Sequence, residues 1–490
     1  MLMLIRISLV IVVFSQQALS LEQPLDQNHF GQITFDSQKP LIESWISCFP
    51  DCSLQNNNSI EINNDKKKFL KILNSVGESL NNYTMTSQRS DDDFEVIYSA
   101  NENLNQIPQI IFKKRVESDL LELIIQSNNQ IEIQIDLDNL LSEEDIYGLG
   151  GIYNGGWLVR VSDQGVENLS ILSESKTEAD SWVGARTRFW SFLISSPNQE
   201  FYINEVDPSD TSLKIISMTE DGVHSFKLYF GPLNTKHLTQ SDLKLTELMY
   251  TALWDWLRQL CFLIEWIFVS LLTIFGNPGI AILMLALILK VIIYPLNQIA
   301  EKWQNDVNII QSSLQPQIDE IKSSYSGEEA NSRIMKLYKD KSISPFYSIK
   351  SLFGFLIQIP IFIAVFDVLG ESIHLLGQPF LFIDNLSKPD QWLDIPFFIP
   401  YFGSSFNLLP LLMMLISMIS AYLYSDINMN IDLENKKKNH LYLMSLLFFI
   451  LFFTFPSGMV LYWTSSNVLQ LIRILYSKDL YPSSLFSKNR

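Results

Sequence analysis

The sequence contains few cysteines and histidines, two residue types from which many catalytic and metal sites are built. Its 490 residues include three cysteines and five histidines, and they form no His/Asp/Ser grouping or metal-ligand cluster. Gly148–Gly151 is followed neither by Lys-Ser/Thr nor by a strand-to-helix pattern, so it predicts β-turns and not a phosphate-binding loop. The sequence therefore predicts neither an enzyme nor a bound metal or cofactor.

An excess of positive charge is also missing. The chain has 35 Lys and Arg against 53 Asp and Glu, a formal net charge of −18. Residues 21–250 carry 35 acidic and 17 basic side chains, which accounts for the whole excess. No basic stretch indicates direct binding of nucleic acid. Long apolar runs are absent from this acidic region and lie in 1–20 and 251–490, so the sequence predicts a soluble domain joined to a membrane domain.

The first 20 residues combine Arg6 with a short apolar core and the small residues Ala18 and Ser20. This pattern is typical of a secretory signal peptide, and it fits an uncleaved first anchor almost as well. With either interpretation, residues 21–240 are expected to leave the cytoplasm.

The region 21–240 has the alternation of β-strands. Gln130–Asp136 and Ser212–Met218 alternate apolar and polar residues, and several such runs separated by turn residues predict a β-sandwich. Cys48 and Cys52 lie four residues apart in this region, which would be oxidised after export. A disulfide and two free thiols both remain open, whereas Cys261 lies in an apolar stretch and is expected to be inert.

The segment Gly276–Gln298 is an apolar run of bilayer length with one cation inside it. Asn277 is a favourable N-cap and Pro278 suits the first helical turn. Lys290 follows twelve residues later, about 18 Å into a hydrocarbon layer about 30 Å thick. Two interpretations compete for this span: the ammonium extends to the headgroups, or it faces a water-filled groove and binds something acidic.

The remaining membrane region has a clear order. An amphipathic, Trp-rich helix is predicted at 241–275 in the membrane interface. A polar helical hairpin is predicted at 299–344, with a break near Ser324–Gly327. Further spans are predicted at about 347–370, 405–424, 441–455 and 459–476, with a tight turn at Phe455–Gly458.

The distribution of Lys and Arg predicts the orientation of these spans. Residues 299–344 carry six Lys and Arg, and 425–440 include Lys436–Lys438, whereas 375–404 contain one Lys. The positive-inside rule therefore places the hairpin, the 425–440 loop and the tail in the cytoplasm. This orientation agrees with export of residues 21–240.

Polar residues inside the predicted spans favour a groove. The last span contains Thr464–Asn467 and Gln470, and the third contains Gln358 two residues before Pro360. Polar groups in hydrocarbon are costly unless they face one another or water. Together with Lys290 they favour an internal polar cavity over separate hydrogen bonds between helices.

Several motifs resemble the YidC family of membrane-protein insertases, in the form with a large periplasmic domain. The resemblance covers about residues 180–478. Its motifs lie in Lys290–Asn297, Leu314–Ile318, Met335–Tyr338, Leu356–Phe362 and Phe455–Tyr462, with a further match at Tyr229–Leu233 and a looser one at Trp182–Trp190. The family usually has Arg where this chain has Lys290. Lys keeps the charge but lacks the bidentate fork of Arg.

The resemblance implies a polytopic α-helical bundle in the bacterial inner membrane. Its regions are an N-terminal signal or anchor (1–20), a periplasmic β-sandwich domain (21–240), an interfacial helix (241–275), a five-span insertase core (276–478) and a cytoplasmic tail (479–490). The implied groove is hydrophilic and open to the cytoplasm. Its expected residues are Lys290, Gln358, Tyr462, Trp463, Thr464, Ser465 and Asn467.

The function implied by this resemblance is that of an insertase and folding chaperone. Its expected partners are nascent membrane proteins, the Sec translocon, the ribosome and the lipid bilayer, and no cofactor is implied. The alternative from another class is a solute transporter or channel that uses the same polar cavity. A transporter is expected to show internal repeats or paired broken helices, and we find no repeat between the halves of the sequence.

Overall fold

The protein is described by a computed structural model that covers most of the chain. The described residues are 32–50, 52, 58–62, 69–90, 93–101, 107–115, 118–141, 146–169, 175–203, 212–341, 343–344, 346, 349–424 and 431–480. The predicted N-terminal segment 1–20 and residues 481–490 of the predicted tail lie outside this range. The described residues divide into two compact units. One contains those within Met1–Leu140, Leu169–Gly184 and Phe192–Gly231, and the other those within Leu141–Asn168, Ala185–Ser191 and Pro232–Arg490.

Seventeen strands lie in the described part of residues 32–232. They are β1 Gln32–Phe35, β2 Leu41–Phe49, β3 Asn58–Ile62, β4 Leu70–Leu73, β5 Tyr83–Arg89, β6 Asp93–Ala100, β7 Gln109–Arg115, β8 Leu120–Gln126, β9 Ile131–Asp136, β10 Trp157–Ser162, β11 Gly165–Asn168, β12 Ser175–Thr177, β13 Trp182–Arg186, β14 Trp190–Ser195, β15 Phe201–Ile203, β16 Ser212–Ser217 and β17 Val223–Pro232. The two runs predicted as strands correspond to β9 and β16.

The first unit consists of two antiparallel sheets. One has the order β1-β2-β4-β9-β16-β15-β12, with β3 also paired to β2, and the other has the order β13-β14-β17-β8-β7-β6-β5. Alternate residues are buried in several of these strands, as in β8, where Leu121, Leu123 and Ile125 are buried. Period-2 burial of this kind places one face of a sheet in a core. The sequence prediction of a β-sheet domain is therefore confirmed.

Aromatic side chains join the two sheets. Trp45 of β2 is fully buried, and its ring centroid lies 6.4 Å from that of Phe192 in β14 and 5.6 Å from that of Phe230 in β17. Phe35 of β1 contacts Phe112 of β7 at 5.2 Å. Large aromatic rings bury much apolar area per residue, so these contacts form the centre of the core of this unit.

The helices are α1 Asp138–Leu141, α2 Thr235–Ser241, α3 Asp255–Phe275, α4 Pro278–Ser324, α5 Gly327–Asp340, α6 Ile349–Glu371, α7 Leu408–Leu423, α8 Ile431–Phe452 and α9 Ser457–Leu480. Short 3₁₀ segments occur at Gly148–Tyr153, Leu243–Leu248 and Ile373–Leu375, and a hairpin is formed by β18 Leu393–Ile399 and β19 Gly403–Phe406. The prediction of β-turns at Gly148–Gly151 was wrong, because these residues begin the first of the 3₁₀ segments.

Helix α4 begins where the sequence predicts. Asn277 is its N-cap, with Oδ1 accepting a hydrogen bond from the backbone N–H of Ile280 at 3.1 Å, and Pro278 lies in the first turn. The helix then continues through the polar residues of the first hairpin arm and ends at Ser324. Gly327 begins α5 with a positive φ of 61°, a conformation that glycine adopts without strain. The predicted break is confirmed, and a single helix carries both the apolar run and the first arm.

The other apolar segments are also helical. The predicted segments at 347–370 and 405–424 correspond to α6 and α7. Helix α8 includes both the polar residues from Ile431 and the apolar run that ends at Phe452. The predicted tight turn lies between α8 and α9. By length and apolar composition, α3 and α4 are the described helices that meet a criterion for crossing a membrane.

Candidate functional site

One face of α4 carries the side chains that define the candidate site. Lys290, Ile293, Asn297, Glu301 and Gln304 line the same cavity, together with Ala300. Their spacing of three or four residues keeps them on one side of a helix with 3.6 residues per turn. Lys290 and Glu301 are eleven residues apart, which is close to three whole turns. The polar stripe thus begins inside the apolar run of α4 and continues into the polar first arm of the hairpin.

Helix α9 provides the facing wall. Tyr462, Ser466, Gln470 and Arg473 follow one another at helical spacing and line the cavity, with Trp463 and Asn467 beside them. Helix α6 contributes Gln358, Ile361 and Phe362. The helices α4, α6 and α9 pack against one another. The cavity is partly open and has a volume of about 480 Å³, enough for a group of water molecules or for several side chains of another chain.

The cavity brings together five of the seven predicted groove residues: Lys290, Gln358, Tyr462, Trp463 and Asn467. Thr464 and Ser465 are not among its lining residues. The Thr464 hydroxyl donates to the carbonyl of Val460 at 2.7 Å, and the Ser465 hydroxyl donates to that of Leu461 at 2.6 Å. These hydroxyls satisfy their hydrogen bonding on their own helix, as Ser and Thr in apolar helices commonly do. The polar run is continuous in sequence, but only part of it faces the cavity.

An ion pair in the cavity wall was not predicted. Arg473 of α9 and Glu301 of α4 form a bidentate pair, with Nη1–Oε1 and Nη2–Oε2 distances of 2.7 Å. About half of the Glu301 side chain and 40% of the Arg473 side chain are exposed. The spacing of these residues was a signal in the sequence that they line the cavity: Glu301 lies eleven residues, about three helical turns, after Lys290, and Arg473 lies eleven residues after Tyr462. The sequence predicts Glu301 only as part of the polar hairpin 299–344.

A dry aromatic cluster adjoins the cavity. Its members are Phe362, Phe366, Phe448, Phe452, Phe455 and Trp463, with ring centroids between 4.1 and 6.4 Å apart in the contacting pairs. Phe362 and Trp463 belong to both the cluster and the cavity wall. These two side chains form the boundary between a polar space and a packed apolar core.

Helix α7 and a loop fix the position of α9. The amide of Asn467 donates to the hydroxyl of Ser417 in α7 at 2.8 Å. At the beginning of α9, the backbone N–H groups of Ser457 and Gly458 donate to the carbonyls of Lys388 and Leu386, both at 2.8 Å. These bonds satisfy N–H groups that a helix N-terminus leaves without an intrahelical partner. The loop therefore holds the start of the helix that carries the polar wall.

The remaining predicted site residues lie in the first unit. Cys48 and Cys52 are joined by a disulfide in the structure. Within the described residues, no group of three or more His, Cys, Asp or Glu side chains is arranged to hold a metal ion. Cys261 of α3 is fully buried, with Sγ 3.9 Å from the carbonyl oxygen of Ala364.

Comparison with known proteins identifies relatives of the region that carries the cavity. Residues 270–483 match the family described as 60Kd inner membrane protein. The membrane protein insertase YidC of Chlorobium limicola is 27% identical over 369 residues, which cover 71% of this chain and 61% of that protein. The insertase YidC of Chlamydia muridarum is 30% identical over 323 residues, 60% of this chain and 40% of that protein.

The chain thus spans less than two thirds of the length of these curated relatives. Among solved structures, a crystal structure of an active YidC insertase with its first transmembrane domain resolved aligns with 92% of this chain and 93% of its own, at 18% identity and a TM-score of 0.37. The sequence matches show that residues 270–483 of this chain are similar to the 60Kd inner membrane protein family and that the chain is similar to curated YidC insertases.

Proposed function

We propose that the protein is a membrane-protein insertase and folding chaperone of the inner membrane. Substrate spans would enter the cavity between α4, α6 and α9 from the cytoplasm and move from it into lipid. The observation that carries this proposal is a polar cavity with a cation in its wall, formed between helices that each contain a long apolar run. Relatives with matching sequence bear the name membrane protein insertase.

The outer surface of these helices supports a membrane location. Large apolar side chains are exposed on α4, including Leu283, Leu287 and Val291, and on α8, including Leu443 and Leu447. A soluble monomer rarely exposes apolar patches of this extent. Lipid would cover them, while the polar side chains of the same helices face the cavity. The family is one of inner membrane proteins, which agrees with this arrangement.

The proposed mechanism needs no covalent chemistry. A substrate span with an acidic flank must carry a charge across hydrocarbon, at a cost of several kcal/mol. At about 4 Å and an effective dielectric of about 20, a cation such as Lys290 would offset this by about 4 kcal/mol. The apolar part of the substrate then partitions into lipid, which drives insertion. No nucleotide or metal takes part in this scheme.

We further propose a core of five spans, formed by the apolar part of α4, by α6 and α7, by the apolar part of α8, and by α9. The hairpin 299–344 and the loop 425–440 would be cytoplasmic, and the sheet domain would be a periplasmic β-sandwich. The Lys and Arg distribution supports this topology. In a cysteine-free background, Ala100→Cys should react with a membrane-impermeant thiol reagent in intact cells and Lys437→Cys should not. Reaction at 437 would reverse the topology.

Nascent membrane proteins are the expected substrates. The Sec translocon and the ribosome remain proposed partners, which crosslinking from the cytoplasmic hairpin during translation would test. The central test of function is rescue of cells depleted of their own insertase, with single-span reporters whose flank carries Asp or Asn. Failure to insert either reporter above the depleted background would contradict the proposal and favour a transporter or channel.

The contribution of Lys290 can be tested in the same assay. Lys290→Glu should stop insertion of the Asp reporter because attraction becomes repulsion, Lys290→Arg should be neutral or better, and Lys290→Ala should impair mainly the Asp reporter. If the ammonium only extends to the headgroups, Lys290→Ala is harmless. Equal effects on both reporters would remove Lys290 from the mechanism and leave the polarity of Gln358 and Asn467 to explain activity.

A further inference from the structure

The cavity already contains a carboxylate, and it belongs to the protein itself. Glu301 accepts two parallel hydrogen bonds from the guanidinium of Arg473, with both nitrogen–oxygen distances at 2.7 Å. This bidentate geometry is the one by which Arg recognises carboxylates in general. The pair joins the facing walls of the cavity, since Glu301 is on α4 and Arg473 is on α9.

The ion pair lies along the same polar stripe as Lys290. Eleven residues of α4 separate Lys290 from Glu301, about 16 Å along the helix axis. Between these levels the polar lining side chains include the uncharged Asn297 of α4 and Gln470 of α9. An extended peptide of about five residues spans this distance. One short polar flank could therefore reach both levels of the cavity.

Partial exposure makes the pair exchangeable. Both side chains are substantially accessible, and Coulomb attraction between exposed ions is weak because water competes for them. A carboxylate from another chain would replace Glu301 with the same two hydrogen bonds, so no donor of Arg473 would be left unsatisfied. Lys290 supplies only a point charge, whereas Arg473 supplies the planar fork that the Lys290 position lacks in this chain.

We propose that Arg473 is a second anion-binding residue of the cavity, which Glu301 occupies until an acidic substrate flank displaces it. This inference rests on the proposed insertase function. Glu301 would act as an internal competitor that sets the selectivity of the cavity, so that only flanks carrying carboxylates gain the full interaction. The exchange replaces one carboxylate by another and involves no covalent change.

The experiment measures insertion of the Asp and Asn reporters by single variants of the full-length protein. Glu301→Gln removes the competitor and should raise insertion of the Asp reporter about two- to fivefold, the factor that corresponds to release of an exposed ion pair. Arg473→Gln removes the binding residue and should lower insertion of the Asp reporter by a similar factor. The Asn reporter should change little in either variant, which also reports that the protein is folded.

A matched control is available in α5. Glu329 and Arg333 form an exposed ion pair at 3.0 Å outside the lining of the cavity, so Glu329→Gln and Arg333→Gln should leave both reporters unchanged. If the Glu301–Arg473 pair only holds α4 against α9, both cavity variants will lower both reporters together, and the inference is wrong. If the unaltered protein inserts neither reporter, the proposed insertase function itself is contradicted. If the unaltered protein inserts both reporters but Glu301→Gln and Arg473→Gln do not change insertion of the Asp reporter in opposite directions, the inference about Arg473 is wrong and the proposed function stands.

Discussion

Helices α4 and α9 have two ends of opposite character. Both begin among buried apolar side chains: Ala281, Ile282 and Leu285 of α4 are fully buried, and so are Met459 and Val460 of α9. We call this the dry end. Further along the same helices, their facing sides carry Lys290, Asn297 and Glu301 opposite Ser466, Gln470 and Arg473 and enclose the cavity. We call this the wet end.

The difference shows how a helix bundle can keep an open polar space. A cavity contributes little packing energy, so the helices that line it must be held elsewhere. The dry end provides this, because Gly458 of α9 is closely packed: an added Cβ would lie 2.8 Å from Cδ1 of Leu375 and 3.1 Å from the carbonyl oxygen of Leu386, with Ile282 of α4 in van der Waals range at 3.5 Å. The aromatic cluster adds further contacts beside it. We therefore expect dry-end variants to alter stability and wet-end variants to alter selectivity.

The largest predicted effect is that of Phe452→Ala in the aromatic cluster. Phe452 is 2% exposed, and its ring centroid lies 5.3 Å from both Phe366 and Phe455. Removing the ring leaves a cavity, and we expect a loss of about 3 kcal/mol in the free energy of unfolding. This is at the low end for a Phe truncation, since part of the apolar surface stays out of water in a bilayer.

Thermal unfolding of the purified protein in detergent measures this loss. Leu447→Ala is the control, because that side chain is on the same helix and 50% exposed. Insertion by Phe452→Ala should fall equally for the Asp and Asn reporters. A variant that keeps its stability but loses only the Asp reporter would show that the cluster belongs to the polar site, and the proposed division would be wrong.

The next effect is predicted for Gly279→Ala at the dry end of α4. A Cβ on Gly279 would lie 2.1 Å from ring atoms of Phe380, closer than any tolerated contact. Relieving this overlap requires the ring or the helix to move, at a cost of about 2 kcal/mol. Phe380→Ala in the same chain should remove most of the added penalty, which a double-mutant cycle of unfolding free energies measures. Additive losses would contradict the contact.

Much of this architecture could be predicted from the sequence because it depends on local signals. The cap at Asn277, the break before Gly327 and the alternation of β9 follow from residue type and spacing. The lengths of α4 and α8 did not follow. Apolar content shows which part of a helix is apolar but not where the helix ends. A helix such as α4 continues through polar residues until a break such as the one before Gly327.

The cavity was predictable only in part. A polar run such as Thr464–Asn467 indicates that polar groups occur in a helix, but which of them face inward depends on rotation against neighbouring helices. Thr464 therefore bonds to its own helix while Ser466 lines the cavity. The pairing of Glu301 with Arg473 joins residues 172 positions apart. No local pattern determines such a contact.

A smaller effect on stability is predicted away from the dry and wet ends of α4 and α9, at the disulfide between Cys48 and Cys52. A bridge that closes so short a loop stabilises by up to about 2 kcal/mol in the chain-entropy account. Replacing both cysteines by Ser should lower the unfolding temperature of the sheet domain and leave the insertion of both reporters unchanged. Alkylation before and after reduction, followed by intact mass, shows whether the bridge forms in cells. Free thiols in fresh protein would contradict it.

The smallest effect concerns the start of α7, where Asp390 caps the helix from the neighbouring loop. Its Oδ2 accepts hydrogen bonds from the N–H groups of Leu408 and Leu409 at 2.7 and 2.9 Å. Burial raises the pKa of this carboxyl above its ordinary value, whereas the two N–H donors act in the opposite direction. Because the folded state then binds the proton more tightly than the unfolded state, the contribution of Asp390 to stability decreases as the pH rises from about 4 towards neutrality.

Two variants separate the charge of Asp390 from its role as a cap. Asp390→Asn keeps a side-chain oxygen for the two N–H groups and cannot ionise, so its stability relative to the unaltered protein should increase with pH between about 4 and 7. Asp390→Ala cannot ionise either and also loses the acceptor, so it should be about 1 kcal/mol less stable than Asp390→Asn at every pH. Unfolding temperatures across this pH range measure both. A constant offset between Asp390→Asn and the unaltered protein would show that the carboxyl does not titrate in this window and that capping alone explains its position.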